Sequence, residues 1–302
     1  MTDTQVPVPF KEKFALAMLR LSAMLPLPVS RGLGALFGLT AFLLRTEQYR
    51  VTLQNLQISF PELGNAERRR LARVSMMETG KLALETGAVW LRDLSWTESR
   101  IKGVYNEHLL DEALASGQGL IILAPHLGNW EVLGLYVETR VHVTSLYQPP
   151  NMPSFEAVIR DAREKNGATL VPTNNRGVAA LIKALRSGGV SGILPDQVPA
   201  PSGGDFAPFF GRPALTMTLV HNLQQRSGCR IMAGFAQRVP GGFEIHFQPA
   251  DDEIYSGDSA QALAALNRTV ENCVRLVPEQ YQWEYKRYRK FPKGMSNPYK
   301  KQ

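Results

Sequence analysis

Gly119-Leu-Ile-Ile-Leu-Ala-Pro125-His126-Leu-Gly-Asn-Trp130-Glu131 is the stretch from which the fold of this chain is read. Residues 119–124 form a short apolar run bounded by Gly119 and Pro125, the signature of a buried strand that ends where polar chemistry begins. His126 falls just past that end. Leu127, Gly128 and Asn129 read as a turn, and the apolar spacing from Trp130 to Tyr136 is helical, which puts Glu131 in a first helical turn. Two residues five apart in one regular helix point to different faces, whereas a strand-to-helix turn can fold the histidine back toward the carboxylate. A carboxylate that accepts from one imidazole nitrogen fixes the tautomer and leaves the other nitrogen free to take a proton from a hydroxyl. The His-x4-Glu spacing alone also fits a loop histidine beside a helix-capping acid, so the flanking residues must decide.

The 302 residues, 44% of them hydrophobic, are enough for one large domain or two small ones with ample core. A net charge of +7 favours an anionic partner: a lipid surface, a phosphorylated substrate or nucleic acid. Cys229 and Cys273 have neither CxxC spacing nor nearby histidines, so they read as core thiols in a reducing compartment, with no disulfide framework or zinc site.

The first nine residues lack the early basic cluster of a secretory signal. From Phe14 to Leu25 the chain is apolar except for Arg20 and Ser22, and Gly32 to Leu44 carries no charge. Pro26-Leu-Pro28 separates the two pieces, each shorter than the roughly 20 residues needed to span a bilayer. Lys11, Lys13, Arg20, Arg31, Arg45 and Arg50 bracket them, which suits a helical hairpin at about residues 10–45 lying in an anionic leaflet. Two buried helices of a soluble subdomain fit the same pattern. Residues 46–100 read as helical, with Asn65 as a candidate cap and Arg68, Arg69 and Arg70 on a solvated face.

After residue 101 helix and strand alternate. Helices are expected at Glu107–Ser116, Trp130–Glu138, Phe155–Lys165 and Val178–Arg186, and strands at 119–124, Val141–Leu146, Ala168–Val171 and Val190–Leu194. The fold class is therefore α/β, a mostly parallel central sheet flanked by helices and preceded by an N-terminal helical, membrane-associating segment. The division runs 1–100 for that helical region and 101–302 for the core. Cys229–Gln237 and Gly242–Gln248, joined through Pro240-Gly241, predict a hairpin at one sheet edge. Ligands gather at the carboxyl ends of parallel strands, where both His126 and Asp196 fall.

Pro195-Asp196-Gln197 ends a strand and opens a Pro/Gly-rich loop through Gly204, after which Phe206–Thr216 leads into a helix. A carboxylate there, with Phe210 at an apolar mouth and Arg212 beside it, would orient a polar acceptor next to an acyl chain. A turn carboxylate and plain core phenylalanines are the alternatives. Arg163 and Arg176 flank the strand at Ala168–Val171 and have the fork geometry for a phosphate or carboxylate, or are surface charges. No Gly-x-Ser-x-Gly elbow, P-loop, HExxH or dinucleotide fingerprint occurs, and no nucleic-acid motif.

His126-Leu-Gly-Asn-Trp-Glu131, Arg163-Glu-Lys-Asn-Gly167, Pro195-Asp-Gln197, Pro208-Phe-Phe-Gly-Arg-Pro-Ala-Leu-Thr216 and Gln282-Trp-Glu-Tyr-Lys-Arg287 follow in order along nearly the whole chain. Together they resemble the late acyltransferases of lipid A biosynthesis, a branch of the lysophospholipid acyltransferase superfamily. Glutamate in the His-x4-Glu motif, and Pro-Asp-Gln where glycerolipid enzymes carry Glu-Gly-Thr-Arg, resemble the lipid A branch. The resemblance implies an enzyme at the cytoplasmic face of the cell inner membrane that moves an acyl group from acyl carrier protein, or acyl-CoA, to a hydroxyl of a Kdo-bearing acylated glucosamine disaccharide. It implies His126 as general base, Glu131 as its orienting carboxylate, and Arg163 and Asp196 in the substrate site. That chemistry requires no metal or organic cofactor. Other lysolipid or aminolipid acceptors, a hydrolase using the same dyad on water, and a nonenzymatic membrane-binding protein are the rival readings.

Overall fold

A computed structural model describes residues 9–150 and 152–300. Residues 10–98 are mostly helical: α1 (Phe10–Met24), α2 (Leu27–Leu43), α3 (Glu47–Ser59), α4 (Asn65–Leu91) and the short α5 (Leu94–Glu98). Pro28 lies in the first turn of α2, where its missing N–H costs nothing and its fixed φ starts the helix. Thr46 caps α3. At α4 the cap position belongs to Gly64, whose N–H donates to Glu67 Oε2 (3.0 Å), so Asn65 is the first helical residue and not the cap.

The long α4 is the spine onto which α1 and α2 pack. Its crossing with α2 is backbone to backbone: a Cβ on Gly34 would lie 2.3 Å from Gly80 O, and one on Gly38 2.0 Å from Met76 O. Small residues four apart are what lets two helices approach this closely. The opposite faces of α1 and α2 leave Phe10, Phe14, Met24, Leu36, Phe37 and Leu44 exposed. Among the described residues no single helix is long and apolar enough to cross a membrane; α2 and α3 reach that composition only as a pair bent by 83°.

The alternating part comprises β1 (Ile101–Tyr105), α6 (Glu107–Ala115), β2 (Leu120–Leu123), α7 (Trp130–Glu138), β3 (Thr144–Tyr147), α8 (Glu156–Glu164), β4 (Thr169–Pro172), α9 (Asn175–Arg186) and β5 (Val190–Ile193). Then follow β6 (Gly204–Phe209), β7 (Arg212–Met217), α10 (Leu219–Ser227), β8 (Arg230–Val239), β9 (Gly242–Pro249) and α11 (Ser259–Leu276). The main sheet has the order β1-β9-β8-β2-β5, parallel throughout except between β8 and β9. A parallel pair, β3 and β4, joins it through a bridge from Val143 to Val190.

β2 lies between β8 and β5, and all four of its residues are buried. Ile121 and Leu123 enter one core with α9, α10 and α11, while Leu120 and Ile122 enter the other with α6 and α7. A strand covered on both faces has no polar side, which explains its uninterrupted apolar run.

One expectation is corrected here. The β8–β9 hairpin forms, but β1 pairs parallel outside β9, so the hairpin is inside the sheet and not at its edge. Residues 206–216, for which no strand is expected from the sequence, form most of the antiparallel hairpin β6–β7, turning at Phe210 (φ 45°) and Gly211 (φ 72°), and lead on into α10. Positive φ at both central residues matches the twist of a two-residue hairpin turn.

Candidate active site

The histidine is placed by the way β2 ends. Ala124 N–H still donates to Ile193 O (2.8 Å), Pro125 has no N–H to continue the ladder, and His126 leaves the sheet at its carboxyl edge. Gly128 then turns with φ 63°, and a Cβ there would lie 2.0 Å from Ala236 O, so only glycine permits this approach to β8. Asn129 is the α7 cap: its Oδ1 accepts from Val132 N–H (3.3 Å).

Asp196 meets His126 from the end of the neighbouring strand β5. Its Oδ1 lies 2.8 Å from His126 Nδ1, and its Oδ2 accepts from the His126 backbone N–H at 2.9 Å. One carboxylate thus fixes both ring and backbone, and Nδ1 as the donor leaves Nε2 with its lone pair free to accept. Asp196 is 3% exposed. Burial opposes its charge, but the adjacent His126, through charge and hydrogen bonds, outweighs that and holds the carboxyl below its ordinary range. Tyr281 packs against the pair, and burial, followed by the Asp196 charge, drives its hydroxyl well up. On the open side Gln197 Nε2 lies 3.0 Å from His126 Nε2, and the Trp130 ring stands 4.6 Å from the imidazole.

The expected hydrogen bond between Glu131 and His126 is absent. Glu131 instead binds Arg163 of α8 through two contacts, Nη2 to Oε1 at 2.6 Å and Nε to Oε2 at 3.2 Å, and accepts from Trp130 Nε1 at 3.1 Å. The reason is geometric: Trp130 stands against the imidazole, while a guanidinium offers Glu131 a charged, two-pronged donor from the facing helix. His126 and the His-x4-Glu carboxylate are therefore neighbours with different partners.

Glu131 and Arg163 stand at a mainly apolar slot between α7, α8 and the sheet, with a cavity volume of about 120 Å³. Ile122, Ala124, Val190 and Leu194 line it, and Gly134 and Gly192 widen it, since no atom lies within 4 Å of where a Gly134 Cβ would be. Glu138 also lines the slot, hydrogen-bonded by Asn166 Nδ2 (3.3 Å), and burial pushes its carboxyl up to about 7.

Of the other expected site residues, three lie elsewhere. Phe210 is 8% exposed in an aromatic cluster, its ring 5.4 Å from Phe60 and 6.0 Å from Trp283 under the Arg275 guanidinium, so it is core and not a mouth. Arg212 donates to Ser296 O (3.2 Å) in a separate groove with Arg50, Lys286 and Lys300. Arg176 is an exposed residue of the first turn of α9. Among the described residues no group of three or more His, Cys, Asp and Glu side chains could hold a metal ion.

Behind the His126 loop lies an ion cluster that spacing did not reveal. Glu85 of α4, fully buried, accepts from Asn129 Nδ2 (3.0 Å) and pairs with Arg31 of α2 (2.8 Å). Arg238 of β8, also buried, donates to Gly128 O (2.7 Å) and binds Glu78 (2.9 Å). The available signal was an arginine close behind the apolar Ile231–Ala236, because a charge buried in a strand needs a partner.

The family model described as "Bacterial lipid A biosynthesis acyltransferase" matches residues 2–290. The chain is 28% identical over 294 residues to the lipid A biosynthesis palmitoleoyltransferase of Escherichia coli K12, covering 95% of this chain and 93% of that one. It is 26% identical over 291 residues to the lipid A biosynthesis lauroyltransferase of the same organism, covering 94% and 93%. A lipid A biosynthesis acyltransferase of Haemophilus influenzae is 24% identical over 232 residues, covering 76% and 72%.

Proposed function

The chain belongs to the bacterial lipid A biosynthesis acyltransferase family, and from that premise we propose that it transfers a fatty acyl group from a thioester of acyl carrier protein, or of CoA, to a hydroxyl of a lipid A precursor. The observation that carries this reading is the His126–Asp196 pair at the end of β2, next to an apolar slot flanked by Glu131 and Arg163. His126 Nε2 takes the proton of the acceptor hydroxyl as its oxygen attacks the thioester carbonyl. Asp196 stabilises the imidazolium that forms. The tetrahedral intermediate then collapses, the C–S bond breaks, and the thiolate recovers the proton from His126. The acyl chain lies along Ile122, Gly134 and Gly192, and Arg163, held by Glu131, stands beside its reacting end.

The exposed apolar side chains of α1 and α2, beside the exposed cations Lys11, Lys13 and Arg20, support a place on the anionic cytoplasmic face of the inner membrane. The acceptor would reach the enzyme from that surface. The test is mass spectrometry of lipid A precursors incubated with purified protein and acyl carrier protein, or CoA, charged with defined chains. A glycolipid heavier by one acyl group is the expected product. Free fatty acid with no acylated glycolipid would overturn transferase in favour of hydrolase.

A further inference from the structure

An acyl transfer through a tetrahedral intermediate needs a donor for the oxyanion, and the backbone N–H groups of residues 126–129 are already engaged. Gly128 N–H donates to Gln280 O (3.1 Å), Asn129 N–H to Ala236 O (2.8 Å) and His126 N–H to Asp196. Val198 N–H is taken by the Tyr285 hydroxyl (2.9 Å), and Arg163 gives Nε and Nη2 to Glu131. The loop after β5, in contrast, brings a half-buried side-chain amide onto the reactive nitrogen itself: Gln197 Nε2 lies 3.0 Å from His126 Nε2.

With Nδ1–H given to Asp196, Nε2 presents a lone pair, so the amide must face it with its N–H. This occupies the position that an acceptor hydroxyl must take. We propose that the Gln197 side-chain amide is a catalytic residue of this enzyme, holding His126 ready in the free protein and passing to the thioester carbonyl oxygen when the acceptor hydroxyl displaces it. The proposal rests on the acyl-transfer reading above.

The displacement is short, because the attacking oxygen and the carbonyl oxygen share one tetrahedral carbon and an oxyanion donor stands about 3 Å from its acceptor. The bonding balances. The hydroxyl proton goes to Nε2, the new C–O bond forms, and the carbonyl π pair moves to the oxygen that Gln197 hydrogen-bonds. On collapse that pair returns, the C–S bond breaks and the thiolate takes the proton. A neutral amide suits the task better than a cation, since it stabilises the oxyanion without raising the energy of the imidazolium nearby. The charged groups facing His126 are Asp196 from the β5 loop and Glu284 from the C-terminal segment.

The experiment compares Gln197→Ala and Gln197→Glu with the wild type in steady-state transfer across pH, and follows the His126 imidazole by NMR without substrates. Loss of one oxyanion donor should cut kcat about a hundredfold while both KM values stay within about threefold. In Gln197→Glu a carboxylate facing Nε2 favours the imidazolium, so the acid limb of kcat/KM and the imidazole titration should both move to higher pH. Gln197→Ala turning over within about threefold of wild type, or losing only KM, overturns the oxyanion role. An imidazole titration unmoved in Gln197→Glu overturns the placement. A wild type that transfers nothing defeats the acyl-transfer reading instead, while the NMR titration still reports whether Gln197 sits on His126.

Discussion

Asp196 and Glu131 are both carboxylates near His126, and their partners assign them different work. Asp196 faces the ring nitrogen opposite the reactive one, so Asp196→Asn keeps the shape, removes the charge that stabilises the imidazolium and permits the wrong tautomer. Its turnover should fall about a thousandfold or more, and the loss should be largely non-additive with His126→Ala, because the two act as a unit. Glu131→Gln releases Arg163 and should act mainly on the KM of the acyl donor, combining additively with Asp196→Asn. Single-turnover rates of the two single and the double variants decide; strong non-additivity of the Glu131 and Asp196 changes would show that Glu131 works through the imidazole after all. Glu138 gives a second test at this scale. Its folded pKa is raised by burial from 4.5 to about 7, so its contribution to stability is fully present below pH 4.5 and is lost as pH rises through 7. Glu138→Gln should therefore flatten the fall in Tm between pH 5 and 8, as read by calorimetry; an unchanged slope would show that the carboxyl is not the cause.

At the scale of elements, β2 and α7 show what local sequence can specify. Gly119, Pro125 and the Gly128-Asn129 turn are punctuation whose meaning is local, and α7 spans Trp130–Glu138 as its spacing predicts. Gly134 opens the slot on that helix, so Gly134→Leu should leave the fold intact and block long chains. The product spectrum with a series of acyl chain lengths should shift to shorter acyl groups, and an unchanged spectrum would place the chain elsewhere. The β6–β7 hairpin was illegible for the opposite reason. Its turn puts Phe210 at φ 45°, a conformation costly for a bulky residue, and what holds it is distant in sequence: the Phe210 N–H donates to Glu271 (2.7 Å) and the ring packs on Phe60 and Trp283. The Asp196–His126 contact is of the same kind. Both residues read as strand ends, but that they face each other depends on β2 and β5 being adjacent, seventy positions apart.

For the whole molecule the question is how a site on the sheet edge meets an amphipathic acceptor, and the buried ion cluster gives a physical link. Arg31 of α2 donates to Val239 O (2.6 Å) and Gly242 O (3.0 Å) in the β8–β9 turn and pairs with Glu85, which holds Asn129 of the His126 turn. The face of α2 that bears Gly34 and Gly38 is fixed to α4, while Leu36, Phe37 and Leu43 are exposed among the described residues. An apolar surface of this extent, beside the cations of α1, is what an interfacial helix presents to lipid. The proposed attachment would have two separable parts, apolar insertion and attraction of the cations to anionic headgroups. Neutralising Lys11, Lys13 and Arg20 to Gln removes three charges, each worth about 1 kcal/mol at an anionic surface, so affinity for vesicles rich in anionic lipid should fall roughly a hundredfold. Affinity for neutral vesicles should hardly change, because the inserted side chains remain. Phe14→Ser with Phe37→Ser should weaken binding to both kinds of vesicle. Cosedimentation at two ionic strengths measures each part, and the wild-type affinity for anionic vesicles should drop with salt while that of the triple variant does not. Wild-type protein that ignores anionic vesicles at low salt would show that this face is covered by something other than lipid.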